Sequence, residues 1–326
     1  MNLTVRIERY GAPEVLQLVD FPATEPGPSE VRLRHTAIGL NFIDTYQRSG
    51  LYPIPLPSGL GQEAAGEITA VGPGVSEFQV GDRVAYAGGP LGAYSEARTL
   101  PVAKLVKLPA AVSDEAAAAL MLKGMTAFYL LHLSYAVKPG DALLVHAAAG
   151  GVGSVLVPWA KHLGARVIGT VGSAAKARLA RDAGCDEVIL YREQDFAAEV
   201  KRLTAGRGVD VVYDSVGKDT FIGSLDALKR RGMLVTYGNA SGKAPPFEPV
   251  LLAEKGSLFI TRPTLAHYTT TREELDTAAN ALFDVLARNI VAPQIDQRYG
   301  LSEVARAHTE LETRATTGAS VLLPGR

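Results

Sequence analysis

Thiols are almost missing from this chain of 326 residues, in which Cys185 is the single cysteine. An intramolecular disulfide is therefore excluded, as is any zinc site built on several thiolates. Charge of one sign is missing too: 33 Lys+Arg face 34 Asp+Glu, for a formal net charge of −1 and a pI near 6.6. No overall positive field draws the chain to nucleic acid or to anionic lipid. The N-terminal stretch carries Arg6, Glu8 and Arg9 and lacks an apolar run with a small-residue cleavage site, so no signal peptide is expected. A reducing cytoplasm is the expected compartment. Residues 142–160 hold no formally charged side chain, but His146, Gly150, Gly151, Gly153, Ser154 and Pro158 interrupt them. That texture predicts a buried strand, a glycine turn and a helix, and no membrane span. Neither a G-x-S-x-G elbow nor a G-x-x-x-x-G-K-[ST] phosphate loop is present.

What is present describes a large folded core. Apolar residues make up 47% and charged residues 21%, which excludes a disordered chain. The length suggests about two domains. Eleven glycines fall between Gly39 and Gly92, separating short apolar runs such as EITAV (67–71) and RVAYA (83–87). This is the pattern of a compact, irregular β domain. Pro53, Pro55 and Pro57 predict an extended loop. Near Ser113 the texture changes. Asp114 and Glu115 open an alanine-rich helical run over 116–122, and a second helical segment is predicted over 125–135. Strand and helix then alternate. Strands are predicted at 142–146, 166–171, 187–190, 209–213 and 233–237, with helices at 151–162, 174–183, 196–204 and 220–228. Such alternation specifies an α/β fold with a doubly wound parallel sheet, because parallel strands require crossovers. A further strand is predicted at 257–262 and a helix at 272–288. The basic run Lys229-Arg230-Arg231 is expected to be a solvated helix C-terminus.

The strongest local motif is AAAGGVG (147–153), a variant of G-x-G-x-x-G with Ala148 at the first glycine position. It follows a buried strand and opens a helix, as a dinucleotide site requires. Glycine lets phosphate approach the backbone, and the free N–H groups at the helix start face the anion. Pro158 sits inside the predicted helix and should kink it. The next strand ends Thr170-Val171-Gly172-Ser173 with no acid to bind ribose hydroxyls, and Lys176 follows. An acid there would repel a 2′-phosphate, whereas Lys176 can pair with one. A solvated surface lysine is an equally open reading of these residues.

Several segments together carry a family likeness: GAPEVL (11–16), GLNFIDTYQRSGLYP (39–53), PSGLGQEAAG (57–66), VGDRVAY (80–86), AAAGGVG, VVYDSVG (211–217) and ATTGASVLL (315–323). The chain resembles the zinc-free, ζ-crystallin-like quinone oxidoreductases of the medium-chain dehydrogenase/reductase superfamily, and within them the bacterial NADPH-dependent enzymes. The resemblance implies a GroES-like, partly open β-barrel catalytic domain from residues 1–123 and 263–326. A Rossmann domain over 124–262 would be inserted between them, with NADPH and substrate meeting in a cleft. It also implies a homodimer paired through edge strands such as 257–262. It places Asn41, Phe42 and Tyr46 beside the nicotinamide and Gly151 and Val152 at the pyrophosphate. Gly172, Lys176 and Tyr191 would surround the adenosine 2′-phosphate. Ser215 and the loop Tyr237, Gly238, Asn239 and Ala240 would line the cofactor, and Arg314 would reach it from the tail.

Zinc-dependent members of the superfamily bind the metal through Cys, His and a second Cys or acid. Here Asn41 stands at the first cysteine position, and Gly61-Gln62-Glu63 replaces Gly-His-Glu. No metal is expected. The implied reaction moves a hydride or electrons from NADPH to a quinone, which needs proximity, exclusion of water and a donor toward the developing oxyanion. The catalytic candidates are Asn41 and Tyr46, which would orient substrate or donate hydrogen bonds, and Tyr52 at the substrate mouth. Two other readings stay open: an alkenal or enone double-bond reductase on the same scaffold, and a largely non-catalytic NADPH-binding protein.

Overall fold

The computed structural model describes residues 2–326. They divide into two compact units, one of residues 2–125, 269–287 and 293–326, the other of residues 126–268 and 288–292.

The first unit is built on a seven-stranded sheet. Its order runs Ile295–Gly300, Ala319–Leu323, Glu30–Leu40, Glu63–Val71, Arg83–Ala87, Val106–Lys107, with Ala97–Pro101 also paired to Glu30–Leu40. The two C-terminal strands enter this sheet because Ala319–Leu323 pairs antiparallel with Glu30–Leu40, Ser320 opposite Leu40. The apolar positions Val31, Leu33, Ile38, Leu40, Ile68, Val84, Tyr86, Tyr94 and Leu322 meet in one core. Alternation along the strands supplies them, since successive side chains point to opposite faces.

The second unit carries a six-stranded parallel sheet in the order Glu187–Leu190, Arg166–Val171, Ala142–His146, Val209–Asp214, Leu228–Thr236, Phe259–Thr261. Sequence order reverses between Ala142–His146 and Val209–Asp214. The carboxyl ends flanking such a reversal are where a doubly wound sheet receives a ligand. The uncharged stretch 142–160 resolves as expected into the fully buried strand Ala142–His146, a turn and the helix Gly153–His162.

Two local expectations are corrected. The predicted pair of helical segments is one helix, Asp114–Tyr129, continued by a π-helical segment over Leu130–Ser134. Gly124 does not break it, because the missing side chain is where Leu282 packs: a Cβ there would lie 2.4 Å from Leu282 Cδ1. Asp114–Ser134 is also the segment long and apolar enough to cross a membrane, yet 78% of its apolar window is buried inside the protein. The helix expected across Pro158 is present as Gly153–His162, with Val155, Leu156, Val157, Trp159 and Ala160 buried around the proline. Lys229-Arg230-Arg231 opens the strand Leu228–Thr236 instead of ending a helix. There Lys229 pairs with Asp210 at 2.5 Å.

Buried histidines tune this fold. His35 Nδ1 meets Ser95 O at 2.7 Å, so it must carry the proton, and Nε2 accepts from Tyr86 Oη at 3.1 Å. Burial and the nearby Arg98 outweigh the Ser95 bond and push the His35 pKa down to about 3. The unfolded chain therefore binds one more proton than the folded one between pH ~3 and ~6.5, so this group adds stability as pH rises through that window. The slope is about tenfold in the folding constant per pH unit. Denaturant titration of the His35→Gln variant from pH 4 to 6 should show that slope reduced by one proton relative to the parent.

Candidate active site

In the first unit, Asn41 stands at the entrance of the helix Phe42–Ser49, where the Asp44 carboxylate accepts from its backbone N–H at 2.8 Å. Gly50 closes the helix at φ +82°, a left-handed conformation that a side chain would strain. Phe42 and Tyr46, four residues apart, share a helix face with ring centroids 6.2 Å apart. The chain returns beyond Gly50, Tyr52 N–H donating to Tyr46 O at 3.0 Å, and the two tyrosine rings meet edge-on at 5.2 Å. The structure thus brings Asn41, Phe42, Tyr46 and Tyr52 onto one segment. Arg314 lies after the helix Val304–Glu312, exposed and in the left-handed region at φ +60°.

Asn41 is held by a buried charge pair. Its Nδ2 donates to Glu63 Oε1 at 2.7 Å, Lys123 Nζ donates to the same oxygen at 2.9 Å, and Leu122 N–H donates to Oε2 at 2.6 Å. Lys123 and Glu63 side chains are 6% and 0% exposed. The carboxylate has three donors and a cation, the condition under which a buried charge is tolerated. Among the described residues no three His, Cys, Asp or Glu side chains gather as a metal-ligand group.

In the second unit the candidates lie at the carboxyl ends of the parallel strands. After Ala142–His146 the chain turns at Ala147, whose φ is +52°. The first backbone bond of the following helix is Ser154 N–H to Gly150 O at 2.8 Å, which leaves the amides of Gly151, Val152 and Gly153 ahead of it. Gly153 is required by close approach, since a Cβ would lie 2.5 Å from both Ala147 O and Ala148 O. After Arg166–Val171, Ser173 caps the helix Ala174–Asp182 by accepting from Lys176 N–H, which places Lys176 in that first turn. A Cβ at Gly172 would meet Tyr191 Oη at 3.0 Å and Arg192 Nε at 3.4 Å, so Gly172, Tyr191 and Arg192 are brought together. Ser215 and the segment 237–240 are zipped by backbone bonds: Tyr237 N–H to Asp214 O at 2.8 Å and Ala240 N–H to Ser215 O at 3.2 Å.

Beneath these loops lies a buried polar network. Asp214 accepts from Val216 N–H at 2.7 Å, Gly217 N–H at 3.1 Å and Thr220 Oγ1 at 2.8 Å. Ser224 Oγ donates to Asp214 at 3.2 Å, so its oxygen is left to accept from His146 Nε2 at 3.0 Å. His146 Nδ1 then accepts from Thr170 Oγ1 at 2.8 Å. Burial lowers the His146 pKa, with the Asp214 charge pulling it back up. Three strand ends, at His146, Thr170 and Asp214, are cross-linked in this way behind the turns they feed.

Two family models match the chain: "Alcohol dehydrogenase GroES-like domain" over residues 27–110 and "Zinc-binding dehydrogenase" over residues 151–283. A quinone oxidoreductase of Pseudomonas aeruginosa is 55% identical over 325 residues, covering 99% of this chain and 100% of the relative. The chain belongs to the quinone oxidoreductase family of medium-chain dehydrogenases. The crystal structure of the Escherichia coli quinone oxidoreductase complexed with NADPH superposes with a TM-score of 0.97 at 50% identity, covering 99% of this chain and 100% of that one. A 2-haloacrylate reductase of Burkholderia is 49% identical over 332 residues, covering 99% of each chain. The fold class and the family resemblance read from the sequence are those found here.

Sequence reasoning missed Lys123, Glu63's role as Asn41's partner, Arg192 and the His146–Asp214 network. Arg192 had a signal, its place beside Tyr191. Lys123 had a weaker one, a lone cation in the otherwise apolar run 116–131. Removing the cation leaves Glu63 as an uncompensated buried charge. Lys123→Met should therefore cost about 3–5 kcal/mol in urea titration, and Lys123→Met combined with Glu63→Gln should recover much of that loss.

Proposed function

We propose that this chain is an NADPH-dependent quinone oxidoreductase that works without zinc. The observation that carries the cofactor reading is the end of strand Arg166–Val171: no acid stands there, and Gly172, Tyr191 and Arg192 cluster with Lys176 in the adjoining first turn. A carboxylate at that place would bind ribose hydroxyls and repel a 2′-phosphate, whereas cations and a phenol suit the phosphate. The residues also fit the diphosphate, because the amides of Gly151 and Val152 precede the first helical bond. The complex of the Escherichia coli relative with NADPH supports the same cofactor.

When bound, NADPH supplies the hydride or electrons that a quinone accepts. This chain's residues bind and orient. On our reading residues 124–262 carry the cofactor on Gly151, Val152, Gly172, Lys176, Tyr191, Ser215, Tyr237, Gly238, Asn239 and Ala240. Residues 1–123 and 263–326 supply Asn41, Phe42, Tyr46, Tyr52 and Arg314. Asn41 is fixed by Glu63, and Tyr46 and Tyr52 present phenols from an edge-on pair, so donors toward a developing oxyanion come preorganised.

A zinc ion does not fit at Asn41. Zinc needs lone pairs from thiolate, imidazole or carboxylate. Two carboxyl groups lie beside Asn41: the Glu63 oxygens are taken by an ammonium, an amide and a backbone N–H, and Asp44 Oδ2 accepts from the Asn41 N–H and from Tyr94 Oη. We further infer a homodimer, with Phe259–Thr261 as the pairing edge, since that strand ends the parallel sheet and Phe259 is 55% exposed. A cytoplasmic location belongs to the same reading, and a single, buried cysteine supports it.

The 2-haloacrylate reductase relative favours a second reading, reduction of an activated carbon–carbon double bond. A panel of benzoquinones, naphthoquinones and conjugated enones with both nicotinamide cofactors separates the two, turnover of enones alone favouring the second. NADPH should bind better than NADH, and Lys176→Ala should narrow that gap by roughly 10- to 100-fold, the value of a charge-assisted bond. Equal affinities for the two cofactors in the parent protein would defeat the phosphate reading.

A further inference from the structure

A chain of buried groups ends on Asp44, and its direction is dictated by chemistry. Arg48 has donors only, so where its guanidinium meets His308 Nδ1 at 3.1 Å the imidazole nitrogen must accept. A neutral His308 then carries its proton on Nε2 and donates to Tyr94 Oη, 3.1 Å away. Tyr94 in turn spends its hydroxyl proton on Asp44 Oδ2 at 2.8 Å. Asn41 N–H donates to that same oxygen at 2.8 Å. Arg48 is anchored beyond the chain by Glu312 Oε1 at 2.6 Å and Gly11 O at 3.1 Å. Its side chain is 2% exposed.

All donors therefore converge on Oδ2. Asp44 Oδ1 is buried and has no partner, and neither has Gln47 Oε1, three residues along the same helix. Residues at that spacing are neighbours on a helix. Two buried, unpartnered oxygen acceptors three residues apart on one helix cost free energy, and a single proton shared between them would satisfy both.

We propose that Asp44 carries a proton on Oδ1, shared with Gln47 Oε1, and that this neutral carboxyl is the positioning residue that holds Asn41 at the entrance of its helix. The proposal rests on the functional reading of Asn41 given above. The groups facing Asp44 are Tyr94 and Asn41 by hydrogen bond, and the opposed charges of Glu63 and Lys123. Glu63 and burial favour the proton, while Lys123 and the two donors favour its loss. Burial is the largest effect and lifts the pKa to about 7, so the proton is held at acid pH and leaves as pH rises through neutrality. His308 does not compete for it: burial and the adjacent Arg48 hold its pKa near 3.

Infrared spectroscopy of the full-length protein, without added cofactor, tests this directly. The parent at pH 5.5 should show a protonated-carboxyl C=O band that disappears in Asp44→Asn and is lost with a midpoint near pH 7. Tyr94→Phe removes a donor to the anion, so its midpoint should rise by about one to two pH units. A carboxylate signal from Asp44 at pH 5.5 would overturn the proposal and indicate that Gln47 presents its amide nitrogen instead. An unmoved or lowered midpoint in Tyr94→Phe would overturn the donor chain, and it can be read even where Asp44→Asn fails to fold. In turnover, the parent should fall above pH 7 while Asp44→Asn, an isostere of the neutral acid, keeps a flat profile to pH 9. Absence of quinone turnover in the parent would fail the functional reading alone, and the infrared bands would still decide the protonation.

Discussion

Three carboxyl groups lie wholly inside the protein, Asp44, Glu63 and Asp214, and a carboxylate stripped of water must be answered by donors, a cation or a proton. Each is answered differently. Glu63 takes an ammonium, an amide and a backbone N–H. Asp214 takes neutral donors from four neighbouring residues, two of them backbone amides of the next turn. Asp44 receives both its donors on one oxygen. In every case the residue that benefits from the geometry is one the sequence offers as a site residue or its neighbour: Asn41 from Glu63 and Asp44, Ser215 from Asp214. The candidate residues range from buried Asn41 to exposed Arg314. Their precision comes from the rigid charges behind them.

Much of this was legible in the sequence where physics is local. Alternating apolar runs and glycine punctuation mark strands and turns without knowledge of neighbours, and the parallel sheet of residues 142–261 follows from them. The glycine turn was legible because an anion needs bare amides at a helix start. What stayed hidden depends on residues far apart. Lys123 and Glu63 are separated by 60 positions, Arg48 and His308 by 260, and no periodicity reports such pairs. Gly124 reads as a helix interruption because propensity counts only the missing side chain, whereas Leu282 fills the space. Lys229 to Arg231 read as a helix end because a cation suits a helix C-terminus, whereas Asp210 claims Lys229 for a strand.

On the zinc-free reading proposed above, replacement of a metal ligand set by an internal ion pair has a chemical logic. A Lewis acid polarises an oxygen that would otherwise hold its electrons, which an alcohol needs and a quinone does not. An ammonium beside a carboxylate leaves the site nearly neutral and spends its hydrogen bonds on shape. The chain retains the glutamate of the Gly-x-Glu motif and gives it to Asn41 and Lys123.

The pairing of Ala319–Leu323 with Glu30–Leu40 also bears on how the polypeptide leaves the ribosome. Residues 38–40 find their partner only at residues 320–322, after the whole of 126–268 has emerged. At about 5–20 residues per second, that edge stays bare for tens of seconds. The parallel-sheet unit, contiguous but for residues 288–292, can condense meanwhile. Nascent chains are thus exposed to chaperone capture and to misjoining along the waiting edge at residues 38–40.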